Sequence, residues 1–214
     1  MKKLIALTIV CSLFVAYSSG QVLSITGFGG YTFNDKVHFA NSYGYINAGG
    51  HWGISLEGID PEGHAIELLF QQMPTHSPMY TALNIKLNPD KDNLTISYIM
   101  LNGVMYHKVN PMFYPYVGLG IGVGIISSNG EDALGNPYSE TQTRFGWNTK
   151  VGVKIRTKSP LGFKFQAQLF SILQASGGGF FVGEGAYSGY TGSYASIWQF
   201  GFSGGICYDL QKKH

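Results

Sequence analysis

The chain has 214 residues, including 30 glycines, 14 tyrosines and 14 phenylalanines. Only 12% of the residues are charged, about half the usual ~25% of a soluble globular domain. The 44% of hydrophobic residues provide ample surface to bury, which excludes intrinsic disorder. The glycines follow no period of three, which excludes a collagen-like chain. The length allows one domain, or at most two small ones.

The first twenty residues have the pattern of a secretory signal peptide. A positive start at 1–3 is followed by an apolar run at 4–17 and by small residues at 18–20. The apolar run is shorter than the ~20 residues that a spanning helix needs. We therefore predict cleavage before Gln21. The mature chain would be formally neutral, with no basic surface for nucleic acid, and would keep Cys207 as its one cysteine.

The rest of the chain alternates apolar and polar residues with a period of two, which is typical of two-sided strands. In the second segment, for example, Ile46 and Trp52 are expected on the apolar face and His51 and Glu57 on the polar face. Three segments show the alternation interrupted by apolar pairs: 21–33, 64–74 and 94–106. The predicted strands cover 21–33, 43–57, 64–74, 94–106, 112–126, 143–157, 161–174 and 195–210.

The connections between these segments alternate in length. Short, turn-like links are expected at 58–63, 107–111 and 157–160, and long ones near 75–93, 127–142 and 175–194. An even number of long strands joined alternately by short turns and long loops is typical of outer-membrane barrels, whose short turns face the periplasm.

The two faces of the strands indicate which side meets lipid. Glycine, glutamine and charged residues share one face, and these fit a narrow interior; tryptophan, phenylalanine and branched aliphatics share the other. Closure also removes the sheet edges that hydrocarbon would not tolerate. We predict an all-β protein: an eight-stranded antiparallel up-and-down transmembrane β-barrel over 21–210, with a short polar tail at 211–214. The alternative is a soluble lipocalin-like barrel or a secreted β-sandwich.

Two segments carry a resemblance to a known group. Residues 113–124 follow a Pro-Tyr pair with glycine at alternate positions, and residues 203–210 resemble a C-terminal assembly signal through Gly205, Tyr208 and Leu210. Leu210 stands where phenylalanine is usual, and four residues follow it. Over its mature length the chain resembles the small eight-stranded outer-membrane barrels, which include the OmpA-type, OmpX-like, OmpW-like and PorT-like proteins.

The resemblance implies export through the signal peptide, insertion by the barrel assembly machinery, and residence in a Gram-negative outer membrane among its lipid and lipopolysaccharide. It does not imply one function, because this scaffold hosts anchors, adhesins, conduits and lipid-modifying enzymes. We expect a non-enzymatic protein with a structural or surface-interaction role, as a subunit of an envelope complex or with an envelope protein as partner. An OmpW-like narrow conduit for small or apolar solutes is the alternative, and a lipid-modifying enzyme comes third.

The polar face collects charges of both signs, which must pair inside a barrel that is only wide enough for side chains. This candidate network consists of His51, Glu57, Glu67, Lys150, Lys154 and Lys164. A structural plug is the simpler interpretation, and a switchable gate is the alternative. Glycines at 118, 120, 122 and 124 would leave room for large partners.

Aromatic residues suggest two further roles. Candidates for interfacial belts are Trp52, Tyr98, Tyr106, Tyr114, Tyr116, Trp147, Trp198 and Tyr208. The last long loop is rich in tyrosine, glycine and serine, which make adaptable contacts with aromatic anchors. Its candidate binding residues are Phe180, Phe181, Tyr187, Tyr190 and Tyr194. A merely flexible surface loop is the alternative.

Catalytic and metal chemistry has little support. The histidines show neither HxH nor HExxH spacing, so we expect no metal site and no cofactor. His76 and Ser77 with Glu57 or Glu67 invite comparison with a Ser-His-acid hydrolase. Because neighbouring residues of an extended chain point to opposite faces, we expect no catalytic residues there.

Overall fold

The computed structural model describes residues 22–38, 42–77, 79–81, 93–131, 137–173 and 196–210. The predicted signal peptide (1–20) and the polar tail (211–214) lie outside these residues. The strands are β1 (Val22–Thr32), β2 (Asp35–His38), β3 (Ser42–Ile46), β4 (Gly49–Ile59), β5 (His64–Thr75), β6 (Met79–Thr81), β7 (Asn93–Tyr106), β8 (Phe113–Glu131), β9 (Pro137–Arg156), β10 (Leu161–Leu173) and β11 (Ser196–Leu210). Across the described ranges, no helix is long and apolar enough to cross a membrane.

Eight of the strands close into one barrel. The order around the wall is β1, β11, β10, β9, β8, β7, β5, β4, and β1 pairs with both β4 and β11. Every pair in the wall is antiparallel, and neighbours in space are neighbours along the chain among these eight strands. The predicted up-and-down barrel is therefore confirmed. We call the end with the connections at 60–63, 107–112 and 157–160 the turn end, and the opposite end the loop end.

The second predicted strand, 43–57, is wrong in one respect, because it is two strands. β3 leaves the wall and forms a separate sheet with β2 and β6 at the loop end. The break is held by hydrogen bonds: the Asn47 backbone N–H donates to the His76 carbonyl (3.0 Å), and Thr75 Oγ1 donates to the Asn47 carbonyl (2.6 Å). Beyond the break, Ile46 points inward and is buried, whereas the alternation predicts that it lies on the outer face with Trp52.

The predicted loop 127–142 is also mostly strand. β8 and β9 have 19 and 20 residues, and they remain paired from Phe113 with Ile155 to Glu131 with Pro137. Because a spanning strand needs only about 9–11 residues, this hairpin projects beyond a membrane-thick band. In the projecting part of the hairpin, most outward residues are serine or threonine. The apolar pattern therefore ends there, although the backbone pairing continues. β9 pairs with β10 only as far as Gly146.

Side-chain exposure alternates around the wall as the two faces require. Val117, Leu119 and Ile121 on β8 are exposed, and so are Phe163 and Phe165 on β10. Their neighbours along each strand face the lumen and are mostly buried. The outside of the barrel is therefore a continuous apolar surface, and the polar side chains lie within.

The inward glycines of β8 leave the room that the sequence predicted. A Cβ on Gly118 would meet the Lys150 side chain, one on Gly120 would meet Asn102, and one on Gly124 would meet Ile172. The missing side chains on β8 thus accommodate long side chains that enter the lumen from other strands.

Gly122→Ala should destabilise the barrel by about 1–3 kcal/mol, as overpacking does. A Cβ at this position would clash with the Ile99 carbonyl oxygen, which belongs to the wall and cannot move aside. Gly27→Ala is the matched control, since a Cβ there meets nothing within 4 Å. Denaturant unfolding of both variants in lipid vesicles measures the difference. Equal stability of the two would contradict the close packing of β8 against β7.

Candidate functional site

The lumen is divided into two layers of different chemistry. The loop half contains an apolar cluster, which the alternation of apolar and polar residues does not predict. Its members are Ile46, Leu69, Met73, Leu94, Ile96, Tyr98, Met100, Ile126, Phe170, Ile172 and Ile197. The signal was present in the apolar pairs of 64–74 and 94–106, because a strand that is apolar on both faces breaks the alternation. That pattern indicates burial inside as well as lipid contact outside.

Three of the predicted belt residues, Tyr98, Tyr106 and Tyr116, are lumenal, and a fourth, Tyr114, faces inward against Arg156 at the turn end, so the assignment of these four to a belt is wrong. Tyr98 donates to Gln199 Oε1 (2.7 Å), and Tyr116 donates to Gln166 Oε1 (2.6 Å). Tyr106 donates to a carboxylate, Glu57 Oε1, at 2.7 Å. Their phenol groups find acceptors inside the barrel, which a lipid-facing position would not offer. The exposed, outward residues of the set are Trp52, Trp198 and Tyr208.

The turn half of the lumen contains the charges, and the structure buries all six residues of the candidate network. Lys164 Nζ lies 2.8 Å from Glu57 Oε1 and 3.9 Å from Glu67 Oε1. Lys150 pairs with the other oxygen of Glu67, which also accepts a hydrogen bond from Asn102 Nδ2 (3.0 Å). Glu57, Lys164, Glu67 and Lys150 therefore form one chain of ion pairs across the lumen.

Lys154 belongs to a second group closer to the turn end. Its Nζ contacts Asp209 Oδ1 (2.7 Å) and donates to Ser24 Oγ (3.0 Å). Arg156 Nε lies 3.3 Å from Asp209 Oδ2, so one carboxylate serves two cations. The candidate network omitted Asp209 and Arg156. The available signal was the alternation of the last strand, which places Asp209 on the same face as Ser203 and Cys207.

His51 is hydrogen-bonded rather than ion-paired. Its Nδ1 lies 2.9 Å from Thr32 Oγ1, and its Nε2 lies 3.2 Å from Gln168 Nε2. The Gln168 amide also donates to Gln71 Oε1 (2.7 Å). An Nδ1-protonated, neutral imidazole satisfies both contacts, because it donates to the hydroxyl and accepts from the amide. His51 thus marks the boundary between the charged layer and the apolar cluster.

Little space is left between the described side chains of the charged layer. A cavity of about 10 Å³ lies among Thr26, Ser55, Glu67, Lys164 and Gln166, with room for about one water molecule. A larger space of about 240 Å³ lies at the turn end, and we call it the vestibule. Its lining consists of Val22, Ile59, Asp60, Pro61, Glu62, Gly63, Tyr106, Lys108, Tyr114, Lys154 and Arg156.

The other predicted site residues are distributed differently. Tyr208 and Leu210 point outward on β11, whereas Gly205 points inward and makes room for Phe28. The five aromatic residues of the last loop, from Phe180 to Tyr194, lie outside the described residues. Across the part of the chain that is described, no group of three or more His, Cys, Asp or Glu side chains could hold a metal ion.

The hydrolase constellation is not brought together. Ser77 follows the loop end of β5, whereas Glu67 lies near its turn end, eight residues before Thr75. At ~3.4 Å per residue this separation is roughly 27 Å. Glu57 pairs with Glu67 in the register between β4 and β5, so it is equally remote.

Comparison with known proteins bears on the fold. No family model matches the chain, and no curated protein matches it by sequence. Among solved structures, Neisserial surface protein A superposes with a TM-score of 0.56 at 10% identity, covering 89% of this chain and 99% of that one. The outer membrane protein OprG from Pseudomonas aeruginosa superposes with a TM-score of 0.57 at 12% identity, covering 91% of this chain and 97% of OprG. The outer membrane protein AlkL in lipid bilayers superposes with a TM-score of 0.50 at 10% identity, covering 92% of this chain and 93% of AlkL.

The fold is therefore that of the small eight-stranded outer-membrane β-barrels. The lumen of this barrel has an apolar layer at the loop end and a layer of ion pairs at the turn end.

Lys164→Met should destabilise the barrel by about 3–5 kcal/mol, because it leaves the buried Glu57 carboxylate without its 2.8 Å ion-pair partner. The double variant Glu57→Gln/Lys164→Met should recover most of this loss, since the uncompensated charge is then gone. Lys158→Met, in an exposed turn, is the control. The free energies of unfolding of these variants, measured in lipid vesicles, give the coupling energy between Glu57 and Lys164. If the loss in the double variant equals the sum of the losses in Lys164→Met and in Glu57→Gln alone, the pair is not coupled.

Proposed function

We propose that the protein is a non-enzymatic integral outer-membrane β-barrel with a structural or surface-interaction role. The observation that carries this proposal is the filled lumen. The ion pairs of Glu57, Glu67, Lys150 and Lys164 occupy the turn half, and the apolar cluster occupies the loop half. Such an interior makes the barrel a rigid support for what its loop end presents.

Location in a Gram-negative outer membrane is part of the proposal. The continuous apolar exterior supports it, as do the fold-level likeness to outer membrane proteins and the signal-peptide pattern at 1–20. Lipopolysaccharide and outer-membrane lipid would then surround the wall, and the barrel assembly machinery would insert it.

The surface role is assigned to the loop end. The projecting part of the β8–β9 hairpin and the β2–β3–β6 sheet extend there beyond the barrel wall. One of the similar structures is named a surface protein, which agrees with a role at the cell exterior. We propose that the last loop, through Phe180, Phe181, Tyr187, Tyr190 and Tyr194, contacts lipopolysaccharide or an envelope protein partner.

The competing function is an OmpW-like narrow conduit for small or apolar solutes. The vestibule favours it, because this space leads from the turn end toward ion pairs that could rearrange. A lipid-modifying activity comes third, and comparison of lipid A masses with and without expression tests it.

The native protein should be recovered in the outer-membrane fraction, as a band whose mobility shifts when the sample is boiled before electrophoresis. In planar bilayers the refolded barrel should give no sustained conductance, because side chains fill both halves of the lumen. Lys158→Met serves as the folded control for variants of the ion pairs. Discrete single-channel openings of the wild type would favour the conduit, and a soluble protein without a mobility shift would overturn both functions.

Tyr208→Ala should lower the amount of folded barrel in cells severalfold, if residues 203–210 are the assembly signal. Ile206→Ala is the matched control, because Ile206 is also an exposed, outward residue of β11. Refolding of both variants from urea into vesicles should be similar, since neither side chain packs in the lumen. Equal losses for the two variants in cells would contradict a signal that reads Tyr208.

A further inference from the structure

The vestibule has walls of opposite charge. Asp60 and Glu62 line it from the turn between β4 and β5, whereas Lys108 and Arg156 line it from the β7–β8 connection and the end of β9. Around the wall, β9 lies three strands from β5. In a ring of eight strands Arg156 therefore lies opposite the acidic turn, whereas Lys108, on the connection that begins at β7, the neighbour of β5, lies to one side of it.

The basic wall has more positive charge than its neighbours neutralise. Asp209 is shared between Lys154 (2.7 Å) and Arg156 (3.3 Å). The guanidinium carbon of Arg156 lies 4.7 Å from the centre of the Tyr114 ring, which orients a side chain that is still 29% exposed. Lys108 adds another cation beside it. An oxyanion is the ligand that such a wall favours.

The acidic wall is held in place by the turn that carries it. The Gly63 N–H donates to the Asp60 carbonyl (3.2 Å), and the Tyr106 N–H donates to the Gly63 carbonyl (2.7 Å). Gly63 has a φ of 94°, which other residues rarely adopt. The Asp60 carboxylate accepts from the His64 N–H (2.8 Å). Burial acts to raise the pKa of Asp60, but the hydrogen bond from the His64 N–H and the electrostatic effect of the His64 side chain outweigh it and hold the pKa below its ordinary value.

We propose that the vestibule binds a short zwitterion. The ligand's ammonium group faces Asp60 and Glu62, and its carboxylate or phosphate faces Lys108 and Arg156. A volume of about 240 Å³ is below the ~300–1,000 Å³ of pockets for drug-sized ligands, so the ligand is small. A short peptide and the phosphoethanolamine of a lipid headgroup share this chemistry.

The test is an NMR titration of the full mature chain, refolded in detergent micelles and labelled with ¹⁵N. Dialanine should shift the amide signals of Gly63 and Lys108. N-acetyl-dialanine lacks the ammonium and dialanine amide lacks the carboxylate, so each should bind about tenfold more weakly. Phosphoethanolamine is the second arm. Tighter binding than dialanine would identify the headgroup chemistry, and weaker binding would identify the peptide chemistry.

Variants localise the binding. Asp60→Asn and Arg156→Gln should each weaken the preferred zwitterion about tenfold, because each removes one charged wall contact. Lys158→Gln is the matched control, since it removes a cation from an exposed turn at the same end without touching the vestibule. The boiling-dependent mobility shift shows whether each variant is folded. If Arg156→Gln misfolds, Asp60→Asn still tests the proposal, because Asp60 lies on a turn outside the barrel wall.

The proposal is overturned if neither zwitterion moves the vestibule amides, or if the two variants bind as tightly as Lys158→Gln. That failure would leave the proposed function intact, because the filling of the lumen does not depend on the vestibule. Conversely, channel openings in planar bilayers would overturn the sealed barrel without affecting the vestibule.

Discussion

The pairing of β1 with both β4 and β11 is the constraint on which the rest of the structure depends. It closes the sheet at eight strands and leaves no free edge in the wall, where lipid offers no hydrogen-bond partner for backbone groups. Eight strands also fix the width of the interior, which is just sufficient for side chains. Every inward residue must therefore find a partner within a narrow space, and the two layers of the lumen follow from this requirement.

The two layers satisfy the requirement in different ways. In the turn half, charges that enter from β4, β5, β9 and β10 neutralise one another, because an unpaired ion in this space would be strongly unfavourable. In the loop half, dispersion and apolar burial replace ion pairing, as in the core of a soluble protein. Glycines on β8 make the ion-paired layer possible, since the absence of a side chain at Gly118 leaves space for the aliphatic part of Lys150 beside the wall.

The sequence predicts correctly which face a side chain lies on where the period of two alone determines it. The prediction fails where a backbone break or a hydrogen bond to a distant strand determines the face. The outward face of β10, with Phe163 and Phe165, follows from the alternation alone. Ile46 does not, because a backbone break held by Thr75 and Asn47 turns the chain inward. Tyr98 is another case: a tyrosine suits an interface or a lumen equally well, and only its acceptor, Gln199, from a strand remote in sequence, decides.

The candidate site was predictable in part for the same reason. Inward charges are visible in the alternation, but their pairing depends on which strands face each other across the barrel. Asp209 and Arg156 illustrate the limit, since each is near the end of its strand and they meet across the intervening strand β10. The charge separation of the vestibule likewise arises from the barrel order and has no local sequence signature.

The projecting β8–β9 hairpin gives the molecule an edge that its barrel otherwise lacks. Beyond Gly146, β9 has β8 as its one strand partner among the described residues, so 137–145 form an edge of the described sheet. Edges of this kind invite strand addition and aggregation. Pro137, Glu140 and Arg144 lie on it, and proline and charged side chains are residues that discourage unwanted pairing. Proline and charge on this edge would therefore disfavour its pairing with the same edge of a second copy of the protein.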